Sequence, residues 1–199
     1  MCVVPVIVRH KFSNRMIKTY AMFDTCSQAT FAKMNLLSNL GIQGRKTSIT
    51  VKTMNGEITK ASEVIEDLEV TEASNKNEEK IWLKLPRTFT QEDLPVDSNE
   101  VATADKLAKW KYLDGIKDEI NTDVNIEVTL LIGANCVRAL EPRKVISSKN
   151  GGPYAFKTLL GWCIVGPMES QNKSTSACCN KIMIAQMVRV IPLLLGLLK

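Results

Sequence analysis

Histidine is nearly absent from this chain: one residue, His10, among 199. The six cysteines, at 2, 26, 136, 163, 178 and 179, include no CxxC pair. A structural zinc needs four convergent ligands, usually in close pairs, so none is expected. Aromatic residues make up 6% of the chain, and no run of five or more Lys or Arg occurs. A nucleic-acid surface wants clustered basic residues with interleaved rings, so the mild net charge of +5 implies no direct nucleic-acid partner. MCVVPVIVRHKF lacks the basic start and long apolar run of a signal peptide. Reduced thiols and a cytoplasmic setting are the resulting expectation. The apolar end, IMIAQMVRVIPLLLGLLK, is interrupted by Arg189 and Pro192 and is too short after Pro192 to span a bilayer, so no membrane partner is expected.

What is there reads as mainly β. A hydrophobic content of 45% and a charged content of 24% fit a globular domain with its own core. VVPVIVRH and MIKTYAMF are β-rich runs joined by a turn at residues 13–15. Ile17, Thr19, Ala21 and Phe23 share one face of the second, which ends on Asp24. SQATFAKMNLLSNLG has Phe31, Met34, Leu37 and Leu40 at helical spacing, with Ser27 as cap and Gly41 as stop. Asn55-Gly56 between extended runs is a strong hairpin signal. ASNKNEEK reads as a polar loop and IWLKLP as a strand closed by Pro86. Leu107, Trp110 and Leu113 form a helical stripe that Gly115 weakens. EVTLLIGANC is an apolar strand turning on Gly133, where backbone must pass close to something. SSKNGGPYAFKTLLGWCIVGP holds a glycine-rich turn and a last pair of strands. Residues 168–180 read as a linker.

The stretch YAMFDTCSQATF drives an apolar strand into a carboxylate. Asp24 there either caps the following turn or is used chemically. Two carboxylates facing each other share a proton: one then activates water while the other donates a hydrogen bond to a scissile carbonyl. One such acid per chain requires a homodimer with Asp24 from each copy on the two-fold axis. Thr25 could hydrogen-bond across that axis. Other chemistries have less behind them. Cys26 as a nucleophile has only His10 as a base, and His10 ends a strand. Gly151-Gly152-Pro153 lacks the Gly-Lys-Ser/Thr ending of a phosphate loop. Asp114, Asp118 and Glu119 read as a solvated face, Trp82, Trp110 and Trp162 as core, Cys136 and Cys163 as buried thiols, and Cys178-Cys179 as a solvated tail pair.

FDTCSQATF, the Met54-Asn55-Gly56 hairpin and LLIGAN, in that order, resemble the retropepsin-type aspartic proteases of retroelements. LLIGANCVRALEP followed by GGPYAFKTLLGWCIVGP, with WKYLDGI before it, is similar more narrowly to the peptidase domain of Pao/BEL-type retrotransposon polyproteins, from about Val3 to Pro167. The resemblance implies a retropepsin-like closed β-barrel over residues 1–167, with one Asp motif per chain. It also implies a short helix after the LLIGAN turn. A helical insertion at about 96–121 and a linker and apolar tail at 168–199 complete the layout. By the same resemblance Asp24 is catalytic, and Thr25, Cys26 and Ser27 form the active-site turn. Met54, Asn55 and Gly56 form a flap over an extended peptide or polyprotein substrate, while Gly133, Ala134 and Asn135 support the turn from below. The implied activity is an aspartic endopeptidase needing no cofactor or metal, working in the cytoplasm or in a retroelement particle. Cys26 departs from the glycine that retropepsins generally place after Asp-Thr. That departure keeps a second reading open: an inactive peptide-binding or dimerisation module from a degenerate retroelement.

Overall fold

Two nine-residue strands, β1 (Cys2–His10) and β2 (Met16–Asp24), pair antiparallel from Cys2↔Phe23 to Arg9↔Met16 and start the fold. In the computed structural model, residues 2–53, 56–73, 80–96, 101–120, 126–167 and 183–184 are described. The sequence expectations for Met54, Asn55, the Cys178-Cys179 pair, most of the 73–80 loop and nearly all of the tail fall outside those residues. Along β1 the even positions Cys2, Val4, Val6 and Val8 enter one core, and Val3 enters another. β2 does the same, with Ala21 and Phe23 on one side and Tyr20 and Met22 on the other. Ile17, Ala21 and Phe23 share one face, as expected, and the opposite face is buried too, because the sheet carries a core on each side.

Around this pair a mainly β body assembles. The further strands are β3 (Thr30–Lys33), β4 (Arg45–Thr53), β5 (Gly56–Ile65), β6 (Leu68–Glu72), β7 (Leu83–Lys84), β8 (Thr88–Gln91), β9 (Val128–Gly133) and β13 (Met183–Ile184). They form a ten-stranded sheet in the order β13-β4-β5-β8-β3-β9-β2-β1-β6-β7. β10 (Lys144–Ile146), β11 (Tyr154–Thr158) and β12 (Gly161–Val165) make a separate three-stranded sheet. The expected closed barrel is not formed among the described residues. Closure needs the two outermost strands to pair. Here β7 is two residues long and pairs only with β6, and the last long strands build their own sheet instead.

The small sheet lies between two packings. Its Phe156, Cys163 and Val165 face the core shared with β1, and its Ala155, Trp162 and Ile164 face the insertion. The insertion is not one helix but a short α-helix, α2 (Ala104–Leu107), then a 3₁₀ helix (Lys111–Glu119). Leu107, Leu113 and Ile116 are buried against the small sheet. Glu119, expected to be solvated, binds Lys157 Nζ at 2.6 Å and accepts from Trp162 Nε1 at 3.2 Å. Tyr112 donates to the Pro153 carbonyl at 2.5 Å, and a Cβ on Gly152 would lie 2.6 Å from both a Trp110 ring atom and the Tyr112 hydroxyl. The glycine-rich turn is thus a close packing point, a use its sequence allows.

Two further expectations are corrected. Residues 30–40 are not one helix capped by Ser27. Thr30–Lys33 is strand, held between β8 and β9, and only Met34–Leu40 (α1) is helical. Gly41 does end α1, in the left-handed region at φ 69°. Cys2 and Cys163 are not free thiols but a disulfide, with their Cα atoms 5.3 Å apart. β1 and β12 meet across the first core, which brings the two side chains within bonding range. Among the described residues no helix is long and apolar enough to cross a membrane.

Candidate active site

Asp24 is the last residue of β2, and its position is fixed by β9. The two strands run parallel, with Phe23↔Ile132 and Asp24↔Gly133 in register. Tyr20, Leu130, Leu131 and Ile132 are all but fully buried, so this strand end is anchored in core. β9 also pairs antiparallel with β3, through Phe31↔Leu131 and Ala32↔Leu130. The chain thus leaves β2 at Asp24, turns through residues 25–29, and returns on the other side of β9.

That turn is a local hydrogen-bonded unit. The Ser27 N–H donates to the Asp24 carbonyl at 3.2 Å, and the Cys26 N–H donates to Asp24 Oδ1 at 2.9 Å. The Ser27 side chain is fully buried and donates to the Ala29 carbonyl at 2.7 Å. Its role is to close the turn, not to cap a helix. Thr25 and Cys26 are exposed, and Asp24 is half-buried. The turn therefore presents a carboxylate, a hydroxyl and a thiol outward from a rigid base.

Gly133, Ala134 and Asn135 form that base. The Ala134 N–H donates to the Ser27 carbonyl at 2.7 Å, the Gly133 N–H to Thr30 Oγ1 at 3.4 Å, and Thr30 Oγ1 to Asn135 Oδ1 at 2.9 Å. A Cβ at Gly133 would collide with the Ala29 carbonyl and lie 2.8 Å from the Ser27 oxygen. Only glycine admits this approach of two backbones. The turn then leads into a one-turn helix, α3 (Val137–Leu140), whose Ala139 is buried in the first core. Burial pushes the Cys136 thiol up from its ordinary pKa, whereas Cys26 is exposed.

The β4–β5 hairpin supplies the third part. Its ladder runs from Arg45↔Val64 to Thr53↔Gly56, so residues 54 and 55 connect the strands and Gly56 is the first ladder position. The glycine's positive φ of 126° is used there, one residue later than an Asn-Gly turn centre would place it. Residues 56–61 are exposed, Thr50 and Thr59 hydroxyls meet at 2.9 Å, and Lys52 pairs with Glu57 at 2.8 Å. On β4, Ile49 and Val51 are buried in the same core as Met22, Ala29 and Phe31. The hairpin is rooted in the core that underlies the Asp24 turn.

Asp24, Thr25, Cys26 and Ser27 are thus brought together with Gly133, Ala134 and Asn135, while Gly56 stands on the hairpin. Thr30 and Ala29 were not marked by sequence reasoning, although both brace the turn. Nothing local could mark Thr30, because its partner Asn135 lies 105 residues further on. Among the described residues no group of three His, Cys, Asp or Glu side chains is placed to hold a metal ion. In comparisons with known proteins, no family model, no curated protein and no solved structure matches this chain.

Proposed function

We propose that the chain is an aspartic endopeptidase of a retrotransposon polyprotein, working as a homodimer through the Asp24 carboxyls of two copies. The observation that carries this reading is the setting of Asp24. It stands at the end of a buried strand, on a turn whose backbone is propped by Gly133–Asn135, with Thr25 and Cys26 exposed beside it. A rigid turn that points one carboxyl outward is what a two-chain dyad requires. Across a two-fold axis the acids share one proton. The ionised one takes a proton from water as the oxygen attacks the peptide carbonyl, and the protonated one donates to the carbonyl oxygen. Proton transfer to the leaving nitrogen then allows C–N cleavage. An extended peptide would lie along the hairpin as an added strand, read at alternate side chains.

A second reading, a non-catalytic peptide-binding module, draws on one specific contact. Asp24 Oδ1 accepts the Cys26 N–H, so the carboxylate also serves its own turn. Asp24→Asn separates the two, because the amide oxygen keeps that hydrogen bond. With purified protein and a mixed peptide library between about pH 4 and 7, cleavage should peak in acid and vanish in Asp24→Asn. Folded dimers that bind peptides equally well with either residue, and cut none, favour the binding module.

A further inference from the structure

The outer edge of the hairpin is occupied. β13, two residues near the end of the chain, pairs antiparallel with β4 through Met183↔Lys52 and Ile184↔Val51. β4 is nine residues long, and β13 is its neighbour on the side away from β5. Along that outer side, residues 45–50 have no strand partner among the described residues.

We propose that β13 is an internal competitor for this edge, a stretch of the chain's own tail held where an extended peptide would add as a strand. Three observations carry it. The contact is main-chain pairing in a sheet, which any extended segment can reproduce. It is short: two residues cover only Val51 and Lys52, so a longer strand running back along β4 would make more hydrogen bonds and displace it. It also lies at the distal half of the hairpin, on Val51, whose side chain enters the core shared with Ala29. A tethered strand competes at an effective concentration of about millimolar, enough to mask a weak peptide site without closing it permanently. The peptide-acceptor role of β4 stands whether or not Asp24 cleaves. The consequence for turnover, that β13 must leave before substrate pairs, rests on the protease reading.

The test uses the full chain and a fluorescein-labelled peptide NKIMIAQMV, residues 180–188. Met183→Pro with Ile184→Pro removes both N–H groups of β13, whichever one faces β4. Fluorescence anisotropy should give binding about tenfold tighter to this double variant than to the unchanged chain, because the competent fraction rises. Amide hydrogen exchange should quicken at whichever of Val51 and Lys52 donates to β13, the other facing β5, while Tyr20 and Ile132 stay protected, which also establishes that the variant is folded. Affinity within about twofold of the unchanged chain, no binding to either, or unchanged exchange at Val51 and Lys52 overturns the proposal. Cleavage, followed separately by mass, can fail without affecting the result.

Discussion

Gly133 shows how much a single position can control. Its missing side chain lets β9 pass directly under the Ala29 and Ser27 carbonyls, the Ala134 N–H donates to the turn at Ser27, and the Gly133 N–H donates to Thr30 where β3 begins. Gly133→Ala forces a methyl group against backbone that cannot rotate away. The expected loss is about 1–3 kcal/mol in urea unfolding, as for other overpacked sites. The loss should come with weaker hydrogen-exchange protection at Ser27 and Ala134. Gly56→Ala is the contrast, since nothing lies within 4 Å of a Cβ there and only the backbone angle objects. The glycine in LLIGAN and the acid in FDTC were visible in the sequence as a close backbone approach and as a carboxylate ending an apolar strand. The hydroxyl of Thr30 that meets Gly133 and Asn135 was not, because a lone threonine carries no local sign of a partner a hundred residues away.

At the level of elements, β3 shows where local reading fails. Phe31, Met34, Leu37 and Leu40 fit a helix, yet Phe31 belongs to a strand and enters a different core from Leu37 and Leu40. Met34, the link between them, is 49% exposed. Pairing with β8 on one side and β9 on the other outweighs four residues of helical spacing. β8 itself, four residues within TFTQ, offers too short a pattern to be seen alone. The long strands β1, β2, β4, β5 and β9 were legible because their apolar runs and flanking turns are local features. At the end of β3, Lys33 binds Asp93 and Glu127, both at 2.6 Å, and Asn35 also donates to Glu127 at 2.7 Å. Lys33 hydrogen bonding holds both carboxyls below their ordinary values of 3.8 and 4.5. Burial alone would lower the Lys33 amine, but its two partners outweigh this and raise it. The carboxyls therefore contribute stability above their ordinary values and lose it as pH falls through the depressed ones. Lys33 contributes below 10.5 and loses it as pH rises through its raised value. Urea unfolding of Lys33→Met and the unchanged chain should differ most between these limits and converge in acid.

For the whole molecule, the order of layers matters more than any one strand. The large sheet, the small sheet and the insertion stack in that sequence, and the insertion, read from sequence as helical, completes a third core. Its location was legible from the polar stretch before it, but its packing was not, since Trp162 and Ile164 lie far along the chain. The Cys2–Cys163 bond joins the large sheet to the small one across a sequence separation of 161. A cross-link closing so long a loop restricts the unfolded chain strongly, so Cys2→Ser with Cys163→Ser should cost about 2–4 kcal/mol. Comparing its unfolding with that of the unchanged chain, with and without dithiothreitol, checks this: the reductant should lower the unchanged chain and leave the double variant where it is.

That same bond makes the body from residue 2 to residue 163 a covalent ring. A single peptide cut anywhere inside the ring opens it without releasing a fragment, whereas a cut beyond residue 163 frees the tail at once. Under oxidising conditions a nicked molecule would keep its full mass, and only reduction would separate its pieces. For the proposed protease, meeting its own copies, self-cleavage inside the ring is survivable, and cleavage of the tail changes what the molecule carries.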